Sequence, residues 1–207
     1  MRLVVTLEPV SSDDQHVTSV AFDRARFDAV VAGARSGDSH ALEELFRELQ
    51  PRLLRFLRSM EDRAADDLAA DVWLAVASGI SRFEGNWADF RAWVFAIGRK
   101  RLADHRRTAA RRRTDSVDSA VFARQHAEDA PEDETVDKIS GQQAASLIAS
   151  VLRDEQAEVL LLRVLADLDV DQVASILQRS PNWVRVTQHR AVANLAKRLG
   201  SKIVVIR

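Results

Sequence analysis

Apolar residues recur every three or four positions through Phe27, Val30, Val31 and Ala34, and again through Leu42, Leu45, Phe46, Leu49, Leu53, Phe56 and Leu57. That is the spacing of helices that bury one face. Gly37, Asp38 and Ser39 separate the two, with Ser39 the expected N-cap of the second. Leu68, Val72, Val76 and Ile80 predict a third helix from about Asp66 to Ile80. A fourth starts near Asn86, which with Asp89 forms a capping pair, and runs to the arginines at 111–113. The period then stops. Residues 114–139, TDSVDSAVFARQHAEDAPEDETVDKI, read as a flexible acidic linker able to span up to about 85 Å when extended. Helical spacing returns at Ser140, with Gln143 three positions on, and continues through Leu147, Ile148, Val151 and Leu152. A helix on Val159, Leu160, Leu162 and Val164 follows, then a short one on Val173, Ile176 and Leu177, then a last one from Ser180 to about Leu199. The expected fold is all-α, with a four-helix domain over 23–113 and a second helical domain over 140–199. The tails, 1–22 and 200–207, have strand-like ends in MRLVVTLEPV and GSKIVVIR.

Composition agrees with helices, because 7 Gly and 4 Pro are too few to punctuate a strand-rich chain of 207 residues. Cysteine is absent, which excludes disulfides, thiolate metal sites and Cys nucleophiles. Glu8 and Pro9 break the only apolar run at the N-terminus, and no segment approaches the roughly 18 apolar residues of a membrane span. A cytoplasmic protein without a membrane span is expected. The net charge of -1 hides segregation. Residues 99–113 carry eight bases against Asp104 alone, 114–139 carry eight acids against Arg124 and Lys138, and from Gln172 onward there are seven bases and no acid. Two basic blocks about an acidic one suggest two contacts with a polyanion.

The stretch DVDQVASILQRSPNWVRVTQHRAVANLAKRL reads as a helix-turn-helix, with Ser180 capping the second helix and Pro181 at its first position. Val184, Gln188, Ala191 and Leu195 fall on one face, and Asn182, Val186, His189 and Ala193 on the other, flanked by Arg185 and Arg190. Arginines about short polar side chains suit a major groove. The turn places Gln178 and Arg179 where glycine would be easiest, and Gln188 is out of character on a buried face. A helical hairpin with a solvated basic face is the plainer reading.

On the fourth helix Phe90, Trp93, Val94 and Ile97 form the core stripe. Phe95, Arg99, Leu102 and Arg106 form another, with Lys100 beside it. Rings beside cations are the combination that binds unstacked single strands. Phe83, Asn86 and Trp87 precede the helix and could receive an extruded base, although Phe83 and Trp87 could equally staple the helix start and Asn86 only cap it.

These residues carry a family resemblance. DDLAADVWLAVASGISRF and FRAWVFAIGRKRLADHRR resemble region two of bacterial RNA polymerase sigma factors of the extracytoplasmic-function (ECF) group. LRDEQAEVLLLRVLADLDVDQVASILQRSPNWVRVTQHRAVANL resembles their region four. The resemblance implies a protein that binds core RNA polymerase at its β′ clamp helices and β flap, melts and reads the -10 promoter element, and reads the -35 element as duplex. It places Asp67, Asp71 and Trp73 at polymerase-binding positions, and Asn86 and Trp87 in the base-capturing loop. Phe95, Arg99, Lys100 and Arg106 join the -10 surface, and Asn182, Trp183, Arg185, Val186, His189 and Arg190 the -35 surface. The acidic linker resembles the family's inter-region segment. An anti-sigma protein is the further partner implied. No cofactor, metal or catalytic residue is expected. Ala70, Lys100, Trp183, Val186, Thr187 and Gln188 depart from the family pattern, which points to an unusual promoter sequence.

Two other readings exist. A stand-alone helix-turn-helix regulator would use the same C-terminal unit but needs no second basic block. An enzyme could hold a divalent metal on Asp66, Asp67 and Asp71, although no P-loop or H-E-x-x-H accompanies them.

Overall fold

The computed structural model describes residues 24–115 and 140–199, all of whose regular structure is helical. The strand-like tails and linker residues 116–139 lie outside the described residues. The N-terminal bundle holds α1 (Arg24–Arg35), α2 (Ser39–Glu61), α3 (Ala65–Gly79) and α4 (Trp87–Asp115). The C-terminal bundle holds α5 (Gly141–Val151), α6 (Asp154–Val164), α7 (Val170–Leu177) and α8 (Pro181–Leu199).

The repeated leucines of α2 explain its length. Leu45, Leu49, Leu53, Phe56 and Leu57 are all buried, and they carry the helix through Pro51. Pro51 removes an N–H that would bond the Arg47 carbonyl, but it lies on the exposed side, where water can satisfy that carbonyl. Asp38, not Ser39, caps α2: its Oδ1 accepts from the His40 N–H at 2.9 Å, and Ser39 is already helical. Gly37 adopts φ 91°, a left-handed turn that sets Asp38 just ahead of the helix.

An aromatic cluster fixes the start of α4. Phe27 of α1 lies 5.5 Å from Trp87 and 5.8 Å from Phe90, and Phe83 stacks on Trp93 at 5.2 Å. A Cβ at Gly79 would come within 2.9 Å of the Trp93 ring, so that close approach requires glycine. Phe90 and Val94 are buried as the spacing predicts, with Trp93 and Ile97 half-buried beside them.

In the C-terminal bundle Ser140 and Gln143 form the reciprocal capping box that their spacing predicts, and Asp169 and Gln172 form a second ahead of α7. Val159, Leu160, Leu161 and Leu162 are consecutive and all fully buried. Four successive helical positions sweep most of a turn, so α6 must be covered on more than one side. Its covers are α5, α7 and α8 of its own bundle and α2 of the other. Helix α5 lies along α2, α7 touches α4, and the buried apolar residues of both bundles form one continuous cluster. Among the described residues, no helix is long and apolar enough to cross a membrane.

Candidate polymerase and nucleic-acid interface

The loop into α4 is built by its caps. Asn86 Oδ1 accepts from the N–H groups of Ala88 at 2.8 Å and Asp89 at 3.1 Å, while Asp89 Oδ2 accepts from the Asn86 N–H at 2.9 Å. Gly85, at φ 140°, sits where a Cβ would meet the Asp89 side chain at 2.7 Å. Asn86 is exposed, whereas Trp87 is half-buried between Phe27 and Phe90 with the Arg91 guanidinium 5.7 Å from its ring centre. Phe83 is buried and offers no face to a base.

Phe95 corrects the sequence reading. Its ring is 0% exposed and packs edge-on to Phe56 at 5.6 Å, so it belongs to the core and not to a stacking surface. Helix α4 packs on α2 as well as α3, and the second contact claims the stripe assigned to nucleic acid. The cations of that stripe remain at the surface with partners. Arg99 Nε lies 3.1 Å from Glu158 Oε1, and Arg106 donates to the Met60 carbonyl at 2.7 Å with Asp154 at 3.8 Å. Arg91, unmarked by the sequence reading, lies 2.6 Å from Asp167 and is only 11% exposed. Lys100 is exposed.

On α3, Asp67 and Asp71 are exposed, but Trp73 is largely inside: its Nε1 donates to Gln50 Oε1 at 2.7 Å, and its ring lies 5.1 Å from Phe46. At 9% exposure Trp73 supports this surface from beneath more than it presents a contact. The outward apolar residues are Leu74, 67% exposed, and Phe46, 40% exposed. Sequence reasoning missed both. Leu74 follows Asp67 by seven and Asp71 by three, the same face of one helix, and that spacing was the available signal. Among the described residues no group of three His, Asp or Glu is gathered to hold a metal, which leaves the Asp66, Asp67 and Asp71 reading without a site.

Between α7 and α8 the chain turns without glycine. Gln178 adopts φ 54° and ψ 47°, and the Arg179 N–H bonds the Ala174 carbonyl at 2.9 Å. Ser180 Oγ accepts from the Trp183 N–H at 3.2 Å, as its N-cap role predicts. Val184, Ala191 and Leu195 are buried, while Asn182, Arg185, Val186, His189 and Arg190 are exposed. Trp183 is half-buried, with Arg179 5.4 Å above its ring. Gln188, out of character by sequence, accepts from Arg163 Nε at 3.3 Å, and Arg163 also bonds the Leu168 carbonyl. One arginine therefore ties α6 and the loop after it to the middle of α8.

The sequence matches the Sigma-70 region 2 family over residues 45–112. It is 31% identical over 183 residues to the ECF RNA polymerase sigma factor SigD of Mycobacterium tuberculosis, covering 86% of this chain and 85% of that protein. The chain belongs to the ECF sigma factors. It is also 32% identical over 176 residues to the ECF sigma factor ShbA of Streptomyces griseus, covering 81% of this chain and 92% of that relative. Two solved sigma factor structures share the fold. CnrH, in complex with the cytosolic domain of CnrY, has TM-score 0.56 at 23% identity over 84% of this chain and 97% of its own. RpoE of Bartonella quintana, in complex with the anti-sigma factor NepR, has TM-score 0.58 at 20% identity over 76% of this chain and 95% of its own. A region-two match outside the helix-turn-helix counts against a stand-alone regulator for this ECF sigma factor.

Proposed function

We propose that this ECF sigma factor directs core RNA polymerase to specific promoters through three separate surfaces. Leu74, beside Asp67 and Asp71 on α3, and Phe46, whose ring packs on the adjoining Trp73, offer exposed apolar side chains with acidic neighbours that suit a helical polymerase element such as the β′ clamp. Asn86 and Trp87 open α4, whose Arg99, Lys100 and Arg106 bind the phosphates of a melted -10 strand while the loop receives a base. Arg185, Val186, His189 and Arg190 on α8 read the -35 duplex in the major groove.

The observation that carries this reading is the outer face of α8. Arg185 and Arg190 make no ion pair with any described residue, although the molecule has acids to spare. The N-terminal bundle is assigned to region two and the C-terminal bundle to region four. An anti-sigma protein would cover the exposed Leu74 and Phe46, as CnrH and RpoE are each held by a partner in their solved complexes. The site of action is the cytoplasm, and the chain acts by binding, with chemistry left to polymerase.

Run-off transcription with purified core polymerase on a promoter library is the test. Defined starts that depend on the chain are expected, and random or absent starts would refute the reading. Asp71→Arg and Leu74→Asp, both at exposed positions, should each abolish co-purification with core polymerase while leaving the helical content unchanged.

A further inference from the structure

Arg179 and Trp183 are stacked at the N-terminal end of α8. The Arg179 guanidinium lies 5.4 Å from the Trp183 ring centre, and its backbone N–H, bonded to the Ala174 carbonyl at 2.9 Å, fixes the chain beneath it. Trp183 is half-buried against the core of the C-terminal bundle, so its ring is a fixed platform and not a free side chain. Trp183, Val186 and Arg190 follow one another at three- and four-residue spacing, which sets the stack at the head of one flank of the face carrying Asn182, Arg185 and His189.

The described residues favour a cation at this place only weakly. Its acid partner, Glu155 in the first turn of α6, is 3.7 Å away, beyond hydrogen-bond reach, and the two side chains are 53% and 67% exposed. An exposed pair of that kind contributes little to folding. The positive end of α8 lies alongside and repels a guanidinium. A phosphate oxygen would reverse both effects, because it bonds a guanidinium strongly and suits the N-terminal end of a helix.

We infer that Arg179 is a phosphate-binding residue of the -35 complex and that Trp183 is the residue that positions it. The ring holds the guanidinium beside the major groove with its N–H groups free for a backbone oxygen, and Glu155 is a loose partner that the phosphate displaces. This rests on α8 being the -35 reader. Phosphate contacts set register and orientation without reading sequence, so the stack fixes where α8 sits while Arg185, Val186, His189 and Arg190 meet the bases. A guanidinium already resting on a ring also has less freedom to lose on binding than one on a free stem.

The salt dependence of duplex binding tests this on the full chain. The probes are a fluorescein-labelled duplex carrying a -35 element recovered from the run-off library and a scrambled duplex of equal length. Arg179→Ala should weaken both equally and lower the slope of log affinity against log salt by about 0.9, the share of one phosphate. The parent's advantage over that variant should therefore shrink about 3.5-fold between about 50 and 200 mM salt. Arg179→Lys, which keeps the charge, should keep the slope. Trp183→Ala should lose the same increment of slope, Trp183→Phe should restore most of it, and Arg179→Ala combined with Trp183→Ala should lose no more than either alone. A Trp183→Ala chain that melts lower yet keeps the parent slope has lost packing only, which overturns the positioning role. An unchanged slope in Arg179→Ala, or a loss confined to the -35 duplex, overturns the phosphate contact. If the parent itself does not prefer the -35 duplex to the scrambled one, the assignment of α8 falls, and this inference with it.

Discussion

Single side chains decide which arginines are free to read DNA. Arg185 and Arg190 lie exposed on α8 without ion pairs to described residues, while Arg163, half-buried, is committed to Gln188 and the Leu168 carbonyl. Arg185→Ala and Arg190→Ala should each weaken binding of a -35 duplex by about 1 to 3 kcal/mol if they bond base edges. Gel shifts against the cognate duplex and a scrambled one check this, and equal loss on both would make them phosphate contacts. Arg163→Met should behave differently, leaving the Leu168 carbonyl and Gln188 unmatched at a cost of about 1 to 3 kcal/mol in stability. It should lower the melting temperature and affect both duplexes alike. Phase arithmetic found the α8 face because one side of that helix is open. It failed for Phe95 because α4 is covered by α2 and α3 at once, and a helix wheel does not count neighbours.

Helices were the most legible level. The boundaries of α3 and α4 fall within about two residues of the spacing-based expectation, and both the Asn86–Asp89 pair and the Ser140–Gln143 box form as written. The cap of α2 moved by one residue because Asp38 and Ser39 are both good caps and Gly37 makes the turn that favours the earlier one. The left-handed residue between α7 and α8 was legible as a problem without a solution: the structure places Gln178 there at φ 54°. Gln178→Gly should therefore stabilise the C-terminal bundle by up to about 1 kcal/mol, relief of the left-handed strain being partly offset by glycine's freedom in the unfolded chain. A rise in melting temperature with unchanged duplex binding is the expected outcome. Leu74 was legible too, by its spacing from Asp67 and Asp71, yet an exposed leucine on an apolar helix reads as core until its neighbours are known.

The arrangement of the two bundles was the least legible, because it depends on pairs more than fifty residues apart, such as Arg99 with Glu158 and Arg91 with Asp167. The one local trace was the run of four apolar residues in α6, too many for a helix packed on one side. The contact between the bundles also carries a pH dependence with a definite sign. Burial raises the pKa of Glu158; Arg99, by its charge and its hydrogen bond, and Arg106 pull it down by less, and Asp154 adds a small upward push. An acid that binds its proton more tightly in the docked form than in the open one favours docking while protonated. That contribution is complete below the ordinary glutamate pKa of about 4.3 and is lost as pH rises through the raised value. Glu158 therefore works against docking at neutral pH, and Glu158→Gln, which can still accept from Arg99, should raise the melting temperature of the full chain at about pH 7. The difference between variant and parent should shrink as the solution is acidified through the window, because Asp154 and Asp167 are common to both chains. A variant that melts below the parent at neutral pH would show that the Arg99 pair outweighs the cost of burying the carboxylate.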